Sequence, residues 1–226
     1  MRTRFINRTE AGKLLAKSLS QHAGDPGLLV LALPRGGVPV AYEVARALKA
    51  PLDVFVVRKL GVPDNPELAM GAIASGGVRV LNESVVTMLG ISPLAIDEVA
   101  RRELRELERR EIAYRNHRPP AAIRGRSVIV IDDGIATGST MRAAIEALRQ
   151  LHPARLIVAT PTVAWSTAEE LRGEVDEFFA LITPEHFNAV GEWYGDFSQT
   201  TDEEVSELLE KANSAQMQPA HAPRSG

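Results

Sequence analysis

Asp132 and Asp133 are the residues of this 226-residue chain with the clearest capacity for chemistry. They directly follow four β-branched apolar residues, Val128 to Ile131, and precede a short segment that contains Gly134 and Gly138. Carboxylates accept hydrogen bonds from hydroxyl groups and bind hard divalent cations such as Mg²⁺. The pair therefore predicts a ligand that carries hydroxyl groups, a divalent cation or both.

The segment after the acid pair has the composition of an anion-binding loop. Thr137, Ser139 and Thr140 supply hydroxyl donors, and Gly138 lets the chain approach a phosphate closely. Apolar residues then recur at helical spacing from Met141 to Leu151. The loop thus leads into a helix whose N-terminal amides and dipole favour an anion. Acids beside an anion site fit a sugar phosphate that binds together with a metal.

A strand, a loop and a helix position these residues, and the same arrangement occurs twice. The unbroken apolar run at 128–131 predicts a strand buried on both faces, and residues 28–33 form a similar run. The second run leads into Pro34 to Pro39, with Arg35, Gly36 and Gly37, and then into a helix at 40–48. A fixed cation beside exposed amides suits a second anionic group, although a glycine-rich turn with a solvated arginine has the same composition.

A third strand is predicted at 51–57, and it ends on Arg58 and Lys59. Basic residues at the carboxyl end of a strand fall on the edge where open α/β sheets bind ligands, although exposed cations are also common on surfaces. Residues 60–71 contain two prolines and two glycines, so we expect no long regular element there but a mobile lid. A short hairpin is expected at 72–81.

Strand and helix patterns alternate along the rest of the chain. This alternation predicts an α/β fold with a doubly wound, mostly parallel sheet, in which both glycine-containing loops lie at the carboxyl edge. We expect one domain over 1–212, with a mainly helical insertion at 82–120, a small C-terminal hood and final helix at 185–212, and a disordered tail at 213–226. The charged insertion helix is expected to pack on one edge, with a dimer helix as the alternative.

Composition excludes several classes of function. The chain has no cysteine, so disulfides and thiolate chemistry are absent, and its net charge of −3 gives no reason to expect nucleic acid or an anionic membrane as a partner. No apolar run approaches the length of a membrane span or of a signal peptide core, so a cytoplasmic location is expected. A P-loop nucleotide hydrolase is excluded because the sequence Gly-x-x-x-x-Gly-Lys-Ser/Thr does not occur.

The window 128–140 resembles the 5-phosphoribosyl-1-pyrophosphate (PRPP) motif of type I phosphoribosyltransferases, with Asp-Asp-x-x-Ala-Thr-Gly-x-Thr after four apolar residues. The whole layout is most similar to uncharacterised bacterial phosphoribosyltransferase-like proteins, over roughly residues 28–185. The resemblance implies Mg²⁺ as cofactor and PRPP plus a small-molecule acceptor as partners, with a homodimer as one expected state. The PRPP-binding residues implied are Asp132, Asp133, Gly134, Ala136, Thr137, Gly138, Ser139 and Thr140.

The resemblance also implies roles outside that window. The residues implied for pyrophosphate binding are Arg35, Gly36, Gly37, Arg58 and Lys59, and those implied for catalysis are Asp132, Asp133, Arg35 and Lys59. The acid pair would also hold the metal, through water. In the aromatic segment 185–197, Phe187, Trp193 and Tyr194 are candidates to stack on a base, with core packing as the alternative.

The implied reaction is Mg²⁺-dependent transfer of the phosphoribosyl group from PRPP to a nitrogen nucleophile, usually a nucleobase, with release of pyrophosphate. At Ala136 the 6-oxopurine members carry an aspartate, so this chain looks more like the adenine and orotate members at that position. The alternatives are a regulatory protein of the same fold that binds PRPP or a nucleotide without turnover, and a receiver-type phosphoacceptor. A receiver would need its acid pair on the first strand, whereas here the pair follows a later one.

Overall fold

The structure is a computed structural model that describes residues 4–63 and 65–217. The strands are β1 (Leu28–Ala32), β2 (Leu52–Val54), β3 (Val57–Val62), β4 (Asn65–Ala74), β5 (Val78–Leu81), β6 (Ser127–Ile131), β7 (Arg155–Thr162) and β8 (Glu177–Ile182). The helices are α1 (Arg8–Ser18), α2 (Gly37–Leu48), α3 (Glu83–Leu89), α4 (Pro93–Arg115), α5 (Ser139–Gln150), α6 (Trp165–Arg172) and α7 (Asp202–Met217). In these ranges no helix has the length and apolar character needed to cross a membrane.

Five parallel strands form the main sheet in the order β2-β1-β6-β7-β8. Side chains along β1 and β6 alternate between two apolar clusters: Val30 and Ile129 pack on one face, and Leu29 and Val128 on the other. Helices α1 and α2 contribute to the first cluster, and α5 and α6 to the second. The predicted doubly wound α/β fold is therefore confirmed, and the unbroken apolar runs follow from burial on both faces.

The prediction of a mobile lid without regular structure at 60–71 is wrong. Strands β3 and β4 pair antiparallel across this region and, with β5, form a second sheet of three strands. Pro66 lies near the start of β4, where the register shifts, and a Cβ built on Gly61 would lie 2.6 Å from the Pro66 carbonyl oxygen. The prolines and glycines thus accommodate a bulge and a close backbone approach within a hairpin, so they do not prevent strand formation.

The predicted strand at 51–57 is also divided differently. The main sheet contains only β2, Leu52–Val54, and the chain then crosses to β3 of the second sheet. Arg58 and Lys59 consequently lie inside β3 and not at the end of a main-sheet strand. The expected hairpin near 72–81 is confirmed as the β4–β5 pair, although β4 begins earlier, at Asn65.

The insertion at 82–120 is helical over α3 and α4. Helix α4 begins at Pro93 after Ser92, whose side chain accepts a hydrogen bond from the Ala95 N–H. Its C-terminal end is held by Arg115, which donates to Asp53 of β2 over 2.8 Å and to the Val54 carbonyl over 2.9 Å. Burial alone would lower the pKa of Arg115, but the neighbouring Asp53 carboxylate helps to raise it. A buried ion pair therefore fixes the insertion to the sheet.

The C-terminal region 185–212 consists of a loop-rich hood, residues 185–201, followed by α7. Helix α7 runs to Met217, so the first residues of the tail predicted to be disordered are helical instead. Residues 218–226 lie outside the described ranges. The hood also pairs with the N-terminal segment: the Phe5 N–H donates to the Trp193 carbonyl, and the Gly195 N–H donates to the Phe5 carbonyl. The start of the described chain is thus tied to the hood.

Candidate active site

The two predicted anion loops lie side by side because their strands are neighbours in the sheet. The last residues of β1 and β6, Ala32 and Ile131, are paired in register, and the Leu33 N–H donates to the Ile131 carbonyl over 2.9 Å. The loop after β1 contains Arg35, Gly36 and Gly37, and the loop after β6 begins with the acid pair. The prediction that both loops lie at one edge of the sheet is confirmed.

The glycines of the first loop are required by this proximity. A Cβ built on Gly36 would lie 2.0 Å from Asp133 Oδ2, and one built on Gly37 would lie 2.6 Å from the Ile131 carbonyl oxygen. No side chain fits at either distance. The Gly37 N–H is used within the loop, where it donates to the Leu33 carbonyl over 3.1 Å. Gly36 and Gly37 therefore allow backbone to pack directly on the acid pair.

The second loop surrounds a small cleft at the start of α5. The cleft has a volume of about 190 Å³ and is lined by Asp132, residues 134–141 and Val190 of the hood. Gly138 has a φ of 76°, which favours glycine, and it directly precedes Ser139, the first residue of α5. The side chains of Thr137, Ser139 and Thr140 are exposed. An anion in this cleft would meet hydroxyl donors and a helix N-terminus, as the sequence predicts.

Contacts behind the loop hold this shape. The Thr167 hydroxyl donates to the Ala136 carbonyl over 2.7 Å, and Arg142 Nη1 donates to the Thr137 carbonyl over 2.8 Å. The Ile135 N–H donates to the Thr162 carbonyl of β7 over 2.9 Å. Because these carbonyl groups are bonded on the protein side, the loop keeps its hydroxyl groups available to a ligand.

The two carboxylates of the acid pair have different surroundings. Asp132 is partly exposed and lines the cleft, whereas Asp133 is buried and pairs with Arg8, whose Nε lies 2.7 Å from Asp133 Oδ2. Burial and the adjacent Asp133 charge both raise the pKa of Asp132 well above its ordinary value. The backbone N–H of Asp133 donates to Asp132 Oδ1 over 2.9 Å. Asp132 is therefore the carboxylate that a ligand in the cleft would meet first.

Arg8 is a site residue that the sequence does not reveal. It lies in the first turn of α1, 125 residues before its partner Asp133, and no local motif surrounds it. Its Nη1 donates to the Ser198 carbonyl of the hood over 2.7 Å, and its guanidinium carbon lies 3.9 Å from the centroid of the Phe197 ring. Only the folded topology brings these groups together.

The three predicted pyrophosphate cations are separated in the structure. Arg58 forms an ion pair with Glu103 of α4, with Nη2 2.5 Å from Oε2. Lys59, the next residue of β3, is exposed and lines a groove of about 360 Å³ that also includes Ser139 and Thr140 of α5. The two side chains face different helices because successive residues of a strand point to opposite faces. Lys59 thus lies beside the anion loop, and Arg58 does not.

Arg35, the third of these cations, lies on the first loop after a cis peptide bond between Pro34 and Arg35. Its Nη1 is 3.7 Å from Asp202 Oδ1 at the start of α7, and both side chains are partly exposed. Asp202 also accepts a hydrogen bond from the Tyr114 hydroxyl over 3.0 Å. Arg35 therefore remains accessible from the carboxyl edge of the sheet while its charge is partly balanced.

The predicted base-stacking residues occupy two kinds of position. Tyr194 is buried; its ring packs on Phe5 and Phe197, and its hydroxyl donates to the Asp133 carbonyl over 2.5 Å. Burial and then the Asp133 charge raise the pKa of Tyr194. Phe187 and Trp193 are half-buried and stack on each other, with ring centroids 6.0 Å apart. Tyr194 therefore fixes the hood to the acid pair, and Val190 is the hood residue that lines the cleft.

A family model described as the phosphoribosyl transferase domain matches residues 7–194 of this chain. The chain belongs to the phosphoribosyltransferase family. The match begins at the N-terminal cap of α1 and ends in the hood at Tyr194, so both segments that contact Asp133 lie within the family domain. The family membership that the window 128–140 predicts is thereby confirmed.

This phosphoribosyltransferase is similar to the provisionally named phosphoribosyl transferase Rv0571c of Mycobacterium tuberculosis (strain ATCC 25618 / H37Rv), with 46% identity over 209 residues. The same figures hold for MT0597 of strain CDC 1551 / Oshkosh. The alignments cover 92% of this chain but 47% of each relative, so the chain spans about half the length of these relatives.

Among solved structures, TT1426 from Thermus thermophilus is similar to this phosphoribosyltransferase, with 43% identity and a TM-score of 0.82. The similarity covers 92% of this chain and 98% of TT1426. It therefore extends beyond the central sheet to most of the described chain, which agrees with the predicted architecture.

Proposed function

We propose that this protein is a Mg²⁺-dependent phosphoribosyltransferase that uses PRPP, releases pyrophosphate and transfers the ribosyl group to a nitrogen nucleophile, such as a nucleobase. One observation carries the proposal: a hydroxyl-rich loop at a helix N-terminus and the Asp132 carboxylate line the same cleft, directly beside the Arg35 loop. A phosphate, a ribose and a pyrophosphate are the groups that such neighbouring surfaces would bind.

The residues present fit Mg²⁺ as a cofactor that enters with the substrate. Mg²⁺ is commonly bound by one or two carboxylates together with substrate phosphates and water. Within the described ranges there is no group of three or more His, Asp or Glu residues that could form a complete protein site. Asp132 supplies one hard oxygen donor at the cleft. When bound, Mg²⁺ would neutralise negative charge on the pyrophosphate.

The reaction forms a bond between the acceptor nitrogen and the anomeric carbon and breaks the bond from that carbon to pyrophosphate, which leaves with the electron pair. Residues 137–140 would hold the 5-phosphate, and the negative charge of the acid pair would stabilise the positive charge that develops on the ribose. Arg35 and Lys59 would stabilise the departing pyrophosphate. Val190 and the hood would help to exclude water from the cleft.

The acceptor is proposed to be a nitrogen nucleophile that does not need a carboxylate from the phosphate loop. Ala136 lies in that loop and provides no acid or base. Phe187 and Trp193 offer an aromatic surface on the hood that a planar base could contact. A cytoplasmic location and a homodimer also belong to this proposal.

The first test is calorimetric titration with PRPP in the presence of Mg²⁺ and, separately, of a chelator. We expect binding that depends on Mg²⁺ and that is abolished in the double variant Asp132→Asn, Asp133→Asn. The matched control is Asp97→Asn, which makes the same chemical change at an exposed ion pair of α4. Unchanged affinity in the double variant would contradict the proposed role of the acid pair.

The second test is pyrophosphate release from PRPP with a panel of nucleobases and simple amines. Release that requires one acceptor supports the transferase and identifies its substrate. The second candidate is a regulatory protein that binds PRPP or a nucleotide without turnover. It is favoured by one observation, the engagement of Arg58 with Glu103 and of Arg35 near Asp202, which balances two cations proposed for pyrophosphate. Mg²⁺-dependent binding without release for any acceptor would support this candidate.

A further inference from the structure

Asp133 is held on several sides by groups far away in the sequence. Arg8 of α1 donates to its carboxylate over 2.7 Å, and the side chains of this pair are only 11% and 12% exposed. The Tyr194 hydroxyl of the hood donates to its carbonyl over 2.5 Å. A Cβ built on Gly36 would lie 2.0 Å from Asp133 Oδ2, so the backbone of the first loop covers the same oxygen. Little of this carboxylate is left for a ligand.

Arg8 is equally committed. Besides Asp133, it donates to the Ser198 carbonyl of the hood over 2.7 Å, and its guanidinium packs on the Phe197 ring at 3.9 Å. A planar arginine with several donors can make such contacts together, whereas a lysine ammonium offers only a point charge. Arg8 thus joins α1, the hood and the acid pair through one buried side chain.

Electrostatics gives this arrangement a purpose. Two adjacent carboxylates at a partly buried site repel each other, and that repulsion opposes the charged form of both. A cation bound to one of them removes much of the repulsion and leaves the other to act as an acid group. The cleft is lined by Asp132 and not by Asp133, which matches this division.

We propose that Arg8 is a positioning residue that commits Asp133 to holding the hood over the site, so that Asp132 alone of the acid pair contacts the ligand. Both carboxylates would then be needed for a working site, but for different reasons. The identity of the ligand, PRPP with Mg²⁺, rests on the function proposed above. The ion pair and its hold on the hood do not depend on that identity.

The test uses tryptophan fluorescence as a reporter of the hood. The chain has two tryptophans, and the variant Trp165→Phe leaves Trp193 of the hood as the only one. In this background we compare Arg8→Gln, Asp133→Asn and the double variant that combines them. Asp132→Asn is the matched comparison, because it makes the same amide substitution one residue away.

We expect Arg8→Gln and Asp133→Asn each to lower the melting temperature by on the order of 10 °C, because each leaves one buried charge without its partner. Acrylamide should quench Trp193 more strongly in both. The double variant should lose less than the sum of the single variants, because two neutral amides can still hydrogen-bond. Asp132→Asn should leave the quenching of Trp193 unchanged.

PRPP titration with Mg²⁺ then assigns the ligand contact. We expect Asp132→Asn to weaken binding by more than about tenfold, whereas the Arg8→Gln, Asp133→Asn double variant stays within about tenfold of the parent. The inference is overturned if Asp133→Asn keeps the parent melting temperature and Trp193 quenching but loses PRPP as Asp132→Asn does. Additive effects of the two single variants on the melting temperature would overturn it as well.

Failure of the proposed function gives a different result. If the parent protein binds no PRPP, the PRPP proposal fails, and the melting temperatures and Trp193 quenching of the variants alone decide the role of Arg8. If the parent binds PRPP but the variants show additive losses, the proposed function stands and the positioning role is rejected.

Discussion

Gly36→Ala tests whether the two anion loops depend on direct backbone contact. Gly36 has ordinary right-handed helical angles, φ −60° and ψ −31°, so alanine can adopt its conformation without strain. The added methyl group would nevertheless lie 2.0 Å from Asp133 Oδ2, a distance that real contacts do not reach. Because Arg8 holds this carboxylate, either the first loop or the acid pair must move.

The expected cost follows from that geometry. Inserting a methyl group into a packed site typically costs about 1–3 kcal/mol, and 1 kcal/mol changes the melting temperature of a domain of this size by roughly 2–4 °C. We therefore expect Gly36→Ala to lower the melting temperature by about 2–12 °C. We also expect it to weaken Mg²⁺-dependent PRPP binding, because the methyl group displaces the acid pair.

Gly173→Ala is the matched control. Gly173 also has right-handed helical angles, φ −78° and ψ −13°, but the nearest atom to its added Cβ would be the Glu170 carbonyl oxygen at 3.5 Å. Replacing glycine at such a site typically stabilises a protein by about 0.4–1 kcal/mol. The two variants should therefore change the melting temperature in opposite directions. Equal thermal stability of both variants, with unchanged PRPP affinity, would refute the argument for contact between the loops.

Three further changes separate structural roles from binding roles. Asp53→Asn should destabilise the protein by about 3 kcal/mol in urea unfolding, because it leaves the buried Arg115 without its full counter-charge. Asp132→Asn should stabilise the protein at neutral pH. The pKa of Asp132 is raised in the folded state, so its ionisation opposes folding as the pH rises above the ordinary value for aspartate, and thermal unfolding at several pH values should show the gain disappearing in acid. Lys59→Gln should weaken PRPP binding, whereas Arg58→Gln should mainly lower the melting temperature.

Asp97→Asn is the control for the two aspartate variants. It removes an exposed ion pair, in which Arg79 Nη1 lies 2.7 Å from Asp97 Oδ1, and such pairs contribute about 0–1 kcal/mol. A loss in Asp53→Asn no larger than in this control would contradict the role given to the Arg115 network. A stability difference between Asp132→Asn and wild type that stays constant with pH would contradict the raised pKa. For the strand β3 pair, equal loss of PRPP affinity at positions 58 and 59 would contradict their separation.

Local signals in the sequence identify the centre of the site. Residues 128–140 contain a fully buried strand, an acid pair and a helix N-terminus in unbroken succession, so pattern and chemistry agree there. Gly36 and Gly37 follow a similar strand, and the pairing of β1 with β6 brings the two loops together as expected. These features are predictable because each is encoded within a few neighbouring residues.

Features that depend on distant contacts are not predictable in this way. An arginine at position 8 resembles any surface cation until the fold brings it to Asp133. Arg58 and Lys59 are adjacent in sequence and were expected to act together, but a β-strand directs them to opposite faces. Pro66 and Gly61 indicate a break in secondary structure, yet the paired strands accommodate them at a register shift.

The backbone pairing of Phe5 with the hood has a consequence for the order in which the protein folds. A ribosome produces the residues of the N-terminal segment first, but their partners at 193–198 are produced only after the central sheet is complete. Until then the segment has no place to dock, and Asp133 lacks its counter-charge. Closure of a loop this long costs entropy that later contacts must offset. The acid pair should therefore acquire its final geometry in one of the last steps of folding, when both ends of the domain meet.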